Sequence, residues 1–446
     1  MNTNDTNITK GSTALESMLN FGRKIIPKSV FKFAQPVYHY VLALGGAIIY
    51  RFPARKLIMI GVTGTKGKTT TVEVVNAILE EAGYKTAIAS TLRYKIGDKE
   101  WRNMFKMTLR GRFFTQNFLR RAVDDGCTHA VIEISSEGVP QYRHKFLFLD
   151  ALIFTNLAPE HIESHGSFEK YLEAKLSIAK ELTGQKGAAM VANMDDKEGE
   201  KFLELNIENK IPYSLRDVIA VKADEKGSSF QMDKLVIHSK LPGIFNVSNM
   251  LGAIAYAKFA GIGDETIKKG IENIDFVRGR MEKIDEGQSF DMVVDYAHTP
   301  DSLKVVYETY NKYKKICILG NTGGGRDKWK RVEMGKIADK YCDQIILTNE
   351  DPYDEDPKEI VEEIKKGITK RPCEIIMDRR EAINTALKLA SHFAEVSRDK
   401  QNTNEKVAIL ITGKGTDPYI MGPNGSKLEW DDASVVREEL QKVLKH

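Results

Sequence analysis

LIMIGVTGTKGKTTTVEVVNAILEEAG, residues 57–83, carries an apolar strand into a glycine-bracketed turn and then into an amphipathic helix. The turn is Gly64, Thr65, Lys66, Gly67, Lys68, Thr69 and Thr70. Glycines let backbone N–H groups converge on phosphate oxygens, and the helix N-terminus adds positive potential. In such a loop Lys68 neutralises the β- and γ-phosphates, and the Thr69 hydroxyl ligates Mg²⁺. The spacing departs from the usual G-x-x-x-x-G-K-[ST], because Val62 stands where the first glycine would be. The alternative is a glycine-rich βα turn without a ligand. Strand, loop and helix together favour the phosphate reading.

Outward from this loop the same pattern repeats. Apolar runs of strand length occur at 57–62, 130–134, 151–155, 292–296, 316–320, 344–348 and 407–412. Helical patterns such as 70–82 and 167–182 separate many of them, which argues for α/β domains with largely parallel sheets. Residues 185–240 are richer in short β-like runs and turn residues, as a peripheral elaboration would be. The expected organisation is an N-terminal segment (1–55) with a short helix, a central domain (56–277) and a C-terminal domain (278–446). A chain of 446 residues is too long for one ordinary core.

A hydrophobic fraction of 42% with 29% charged residues is that of a globular protein. The net charge of +4 is small, and no basic cluster stands apart from acids, so nucleic acid is not an expected partner. Cys127, Cys317, Cys342 and Cys373 lack metal-ligand spacing and are expected to be reduced thiols in a cytoplasmic enzyme. Residues 33–50 contain no charge, and Arg51, Arg55 and Lys56 follow. That run falls short of the roughly 20 apolar residues that span a bilayer. It reads as a helix packed on the next domain, and as a candidate for peripheral contact with the inner face of the membrane.

Three further segments carry chemistry. Glu133 ends a buried strand, where open parallel sheets bind ligands. A carboxylate there is costly unless it meets a cation, which makes it a Mg²⁺ ligand candidate. His161 and His165 have i, i+4 spacing, but no further ligand is spaced to complete a zinc site. Lys175 borders the apolar stripe Phe168, Leu172, Leu176 and Ala179, and partial burial favours the neutral amine.

TGTKGKTTT (63–71), FTNLAPEHIESHG (154–166), YLEAK (171–175), LPGIFNVSN (241–249) and VVDYAHTPDSL (293–303) recur in the order found in the Mur ligases. The chain resembles that family over nearly all of 56–446, and is most similar to the members that add the third amino acid, the UDP-N-acetylmuramoyl-tripeptide synthetases. The resemblance implies a P-loop central domain and a Rossmann-like C-terminal domain. It also implies ATP- and Mg²⁺-dependent amide formation through an acyl-phosphate. Glu133, His161 and Lys175 are then implied at the metals, Lys175 as a carbamate. Thr108, Ser135, Gln141 and Arg143 are implied to contact a muramoyl-peptide donor, UDP- or lipid-linked. Asn249, Arg280, Asp295 and His298 are implied at the nucleotide.

The incoming amino acid is expected at Arg331, Glu350, Asp351, Tyr353, Gly413 and Asp417. Arg331 aligns with an arginine that holds its carboxylate. Tyr353 stands where diaminopimelate-adding relatives carry the arginine of D-N-P-R. With Glu350, Asp351, Asp354 and Asp417 nearby, the expected acceptor is lysine-like, with diaminopimelate the alternative. Two departures stand out: Glu137 replaces a histidine, and residues 1–55 look nothing like the family's UDP-gripping domain. The rival readings are a folylpolyglutamate- or cyanophycin-type ligase, and a nucleotide-gated binding protein without catalysis.

Overall fold

A computed structural model describes residues 28–159, 166–325, 328–399 and 406–444. The chain divides into two compact units. Among the described residues, the first gathers 28–158, 166–213 and 252–262; the second holds Pro159, 214–251 and the described chain from 263 onward.

The first unit is built on eight strands: β1 (Ile58–Thr63), β2 (Thr86–Ala89), β3 (Arg93–Ile96), β4 (Lys99–Arg102), β5 (His129–Glu133), β6 (Ala151–Phe154), β7 (Ala189–Asn193) and β8 (Asn209–Tyr213). Their order is β4-β3-β2-β5-β1-β6-β7-β8. β3 and β4 pair antiparallel, and the other six strands run parallel. β5 and β6 are buried along their whole length, which is why 130–134 and 151–155 read as apolar runs instead of alternating ones. The helices are α1 (Lys28–Ile49), α2 (Lys68–Glu81), α3 (Arg112–Asp124), α4 (Phe168–Ala179) and the short α5 (Gly199–Leu203). α4 starts on the Ser167 hydroxyl, which accepts from Lys170 N at 3.2 Å. α1 packs on α3 with His39, Ala43 and Ala47 buried, as a docked helix should.

α6 (Ile244–Phe259) and α7 (Asp264–Glu272) follow a three-stranded antiparallel sheet of β9 (Ile219–Asp224), β10 (Gly227–Met232) and β11 (Leu235–Ser239). Residues 214–251 and 263–277 group with the second unit. The β9–β10 turn makes contacts within that unit: Tyr313 Oη donates to Glu225 at 3.1 Å, and Lys406 pairs with Glu225 at 3.8 Å.

The main sheet of the second unit orders β12 (Glu282–Lys283), β13 (Asp291–Val294), β14 (Tyr313–Leu319), β15 (Gln344–Leu347), β16 (Cys373–Ile375) and β17 (Lys406–Ile411) as β12-β13-β17-β14-β15-β16. All but β12 run parallel. Helices α8 (Pro300–Thr309), α9 (Lys330–Tyr341), α10 (Pro357–Lys365), α11 (Arg379–Asp399) and α12 (Asp432–Val443) accompany it, and β18 (Tyr419–Met421) pairs with β19 (Lys427–Glu429) as a hairpin. The cysteine expectation is corrected here. Cys317 on β14 and Cys342, just past α9, form a disulfide, while Cys127 and Cys373 are free. Linear spacing gave no sign of it, because α9 returns beneath the strand it left and brings two distant residues to a Cα separation of 6.1 Å.

Candidate active site

Four neighbouring strands of the first unit end at one edge, and each delivers a functional segment. β1 opens into the phosphate loop, β5 ends at Glu133, β6 leads to Thr155 and Asn156, and β2 leads to Thr91. Ligands gather at such carboxyl edges. The loop is clamped from behind. Lys66 N donates to Asn156 Oδ1 at 2.9 Å, and Thr155 Oγ1 and Asn156 Nδ2 both donate to Lys66 O, at 2.7 and 3.1 Å. Gly64 sits at φ 150°, and a Cβ there would lie 1.9 Å from Thr155 Oγ1, so only glycine fits. Gly67, at φ 81°, is the N-cap of α2 and turns the chain into the helix.

Lys68 Nζ folds over this loop onto the carbonyls of Thr65 (2.9 Å) and Gly64 (3.1 Å). It stands 4.0 Å from Glu133 Oε1. Glu133 is buried; its Oε2 accepts from Thr69 Oγ1 at 3.0 Å and from Thr91 N at 2.9 Å. The Thr91 hydroxyl meets Thr108 Oγ1 at 3.0 Å. A buried carboxylate beside a threonine hydroxyl at the phosphate loop is a hard-oxygen donor pair, and it suits Mg²⁺. Lys175 is more deeply buried than its place in α4 suggested, at 1% exposure. Its Nζ donates to Gly64 O at 2.7 Å and lies 4.8 Å over the Tyr171 ring, whose hydroxyl meets Thr65 Oγ1 at 3.0 Å. His161, with Glu160 and His165, lies outside the described residues.

The donor-side residues form one tied loop. Arg143 donates to Gln141 Oε1 (2.7 Å) and to Leu109 O (2.8 Å), and burial pulls its guanidinium below the usual arginine range. Arg112 donates to the Gln141 carbonyl and lies 2.6 Å from His39 Nδ1, so α1 braces this loop. Ser135 precedes the short 3₁₀ turn Ser136–Gly138. Arg110 is stacked on Phe105 and Phe114.

The second unit repeats the principle. β13 leads to Asp295, Tyr296 and His298; β14 to Asn321 and Thr322; β15 to Glu350 and Asp351; β17 to Gly413 and Lys414. Asp295 accepts from the backbone N–H groups of Met281 and Ala297, both at 2.7 Å. His298 Nδ1 is 2.7 Å from Tyr296 O, and the Arg280 guanidinium lies 4.7 Å over the Tyr296 ring. Asn249 donates to Asn246 Oδ1 at 3.1 Å.

The acceptor-side residues are joined by ion pairs and hydrogen bonds. Arg331 is 1% exposed, and its guanidinium is held by Glu363 (2.8 Å) and Glu355 (3.0 Å). Glu355 also accepts from Gly325 N at 2.7 Å, which gives Arg331 the work of pinning the glycine loop. The acidic crowd is also largely matched. The buried Lys414 ammonium pairs with Asp351 at 2.9 Å and Asp417 at 3.2 Å, while Asp354 accepts from Asn424 N. Glu350 differs. Its Oε1 accepts from Thr322 Oγ1 at 2.8 Å, but its Oε2 is buried with no hydrogen-bond partner among the described residues. Gly413 makes the space, since a Cβ there would lie 2.2 Å from Glu350 Oε2. Tyr353 approaches Gly324 with its ring and donates its N–H to Met421 O at 3.1 Å. Thr91 and Lys414 were missed by sequence reasoning; a lysine between two glycines after a strand was the one available sign of the latter.

With this geometry in place, the comparisons with known proteins are decisive. Residues 62–257 match the Mur ligase middle domain, and residues 279–415 match the Mur ligase glutamate ligase domain. A UDP-N-acetylmuramoyl-L-alanyl-D-glutamate–2,6-diaminopimelate ligase from Syntrophomonas wolfei is 35% identical over 91% of this chain and 82% of its own. The chain belongs to the Mur ligase family. It is an ATP-dependent, Mg²⁺-dependent, ADP-forming amide ligase. The diaminopimelate ligase of Aquifex aeolicus is also 35% identical, over 87% of this chain and 78% of its own. Among solved structures, a diaminopimelate ligase of the same name aligns at TM-score 0.58 and 27% identity, covering 87% of this chain and 79% of that one. Mycobacterium tuberculosis folylpolyglutamate synthase with ADP shares the fold alone, at TM-score 0.67 and 15% identity, covering 91% of this ligase and 94% of that chain.

Proposed function

We propose that this ligase joins a lysine-type amino acid to the carboxylate of a muramoyl-dipeptide donor during peptidoglycan precursor synthesis. Lys68 and the backbone of Gly64–Thr70 would cradle the nucleotide phosphates, and Thr69 and Glu133 would hold Mg²⁺. When bound, Mg²⁺ neutralises charge on the transferring phosphoryl group. The donor carboxylate attacks the γ-phosphorus, ADP leaves, and an acyl-phosphate remains. The acceptor amine then attacks the acyl carbon, and inorganic phosphate departs. No protein nucleophile takes part; the chain's contribution is positioning and charge neutralisation. Lys175 fits the same reading as a carbamate, supported by its buried Nζ lying at the phosphate loop, 2.7 Å from Gly64 O.

The observation that carries the acceptor assignment is the buried Oε2 of Glu350, which has no hydrogen-bond partner among the described residues. A buried carboxylate oxygen without a donor is costly, and an incoming ammonium would satisfy it. Tyr353 supports lysine over diaminopimelate, because a phenol offers a distal carboxylate no bidentate cation. The Syntrophomonas wolfei and Aquifex aeolicus relatives are diaminopimelate ligases by name, so the decisive experiment is competition. Equal lysine, ornithine and diaminopimelate are offered with ATP and muramoyl-dipeptide, and the products are weighed by mass spectrometry. Predominant lysine product is expected; predominant diaminopimelate product overturns the assignment. Cytoplasmic action with a peripheral membrane contact through residues 33–50 belongs to this reading, supported by the absence of charge from Phe33 to Tyr50.

A further inference from the structure

α1 has two unlike faces. The inner one buries His39, Ala43, Gly46 and Ala47, and is tied down where His39 meets Arg112. The outer one places Val37, Val41, Leu44 and Ile48 at i, i+4, i+7 and i+11, one stripe of a helix. Val37 is 67% exposed, Val41 57% and Ile48 56%, with Tyr40 beside them at 44%. A contiguous apolar stripe of this kind marks an interaction surface. Among the described residues no helix is long and apolar enough to cross a membrane. A helix anchored along one side and apolar along the other suits the plane of an interface instead.

Charge identifies what covers it. From residue 17 to residue 72 the sequence has no Asp or Glu, while Arg51, Arg55 and Lys56 follow the stripe. Arg51, Arg55 and Lys56 are exposed just past the helix, and Arg55 lies over the rings of Phe52 (4.9 Å) and Phe148 (4.6 Å). Asp124, the acid whose carboxyl feels Lys56, is already held by Arg120. A second copy would set these cations against their own kind. An anionic lipid surface takes both the apolar stripe and the cations.

We propose that the outer face of α1 docks the ligase on an anionic bilayer, lying flat at the headgroup boundary. This deepens the membrane contact in the reading above, and it names the surface and the lipid charge. The brace from His39 through Arg112 to the Gln141 carbonyl then holds the expected donor loop one helix away from the lipid.

The test is co-sedimentation of the full chain with vesicles of phosphatidylglycerol and phosphatidylcholine, or of phosphatidylcholine alone. Wild type is expected to pellet with the anionic vesicles only, and to bind about tenfold more weakly at high salt. V37S/V41S/I48S alters exposed side chains only. It should bind about tenfold more weakly at low salt, with the same melting temperature and the same amide formation from a water-soluble UDP-linked donor. Wild type left in the supernatant, equal pelleting by the triple variant, or a wild-type dimer that the variant dissociates would each overturn the proposal. Amide formation is measured on the same samples. Binding without ligation sinks the functional reading alone, and ligation without binding sinks the docking surface alone.

Discussion

The Thr69 hydroxyl donates to Glu133 Oε2 at 3.0 Å, which joins the phosphate loop of β1 to the end of the neighbouring strand β5. Both oxygens are hard donors, and Lys68 stands on the other side of the carboxylate at 4.0 Å from Oε1. Lys68→Ala and Glu133→Gln should therefore fail differently. Loss of the ammonium should cut turnover by about 10³-fold at any Mg²⁺ concentration. Loss of the carboxylate charge should weaken Mg²⁺ by about 10- to 100-fold, and excess Mg²⁺ should partly restore turnover. Titrating Mg²⁺ against initial rate separates the two. A Glu133→Gln enzyme with an unchanged Mg²⁺ curve would remove Glu133 from the metal site.

Lys175→Ala should leave an enzyme of low activity that short carboxylic acids partly restore, because they replace the anion a carbamate would supply. Intact-mass measurement and rate recovery with acetate check this together. An active wild type with an unmodified amine at Lys175, or a variant indifferent to acetate, contradicts it.

Glu350→Gln keeps the shape of the side chain and removes its charge. If Oε2 receives the acceptor's ammonium, KM for lysine should rise by about tenfold or more, while KM for ATP stays put. Steady-state kinetics in each substrate reads this. A rise confined to ATP, or no rise at all, assigns Glu350 to the loop's own structure.

How much of this was legible beforehand varied with the kind of information involved. The strands around the phosphate loop showed as apolar runs because parallel strands are buried on both faces. Glu133 stood out because a charge ending such a run needs a reason. Other features depend on which strand ends become neighbours. Thr91 reaches Glu133 only because β2 lies beside β5. Lys414, three residues beyond β17, pairs with Asp351 from the loop after β15, a partner that linear spacing does not show. Arg331 carried no sign in the sequence that Glu355 and Glu363 pair with it, because only the fold brings them near. The motif order identified the chemistry, while the ion-pair partners awaited the fold.

His144 predicts an acid limit to stability. It is buried, its Nδ1 lacks a partner among the described residues, and burial, with Lys145 adding to it, pulls its pKa down to about 4. The folded state therefore binds the proton less readily than the unfolded chain. Stability from this group is full above about pH 6.5 and falls as the pH drops toward 4, by up to about 3 kcal/mol. Urea midpoints measured at pH 7, 5.5 and 4.5 should decline more steeply in wild type than in His144→Gln. Parallel declines would show that another group governs the acid side.

The most direct measurement of the central claim is phosphate release coupled to product mass. ATP, Mg²⁺ and the enzyme are combined with muramoyl-dipeptide, UDP-linked or lipid-linked, and with lysine, singly and together. Stoichiometric phosphate and a product heavier by one amino acid less water are predicted only when donor and acceptor are both present. Phosphate released equally without the acceptor, or no amide product with either donor, would contradict the assignment of this chain as a muramoyl-peptide ligase.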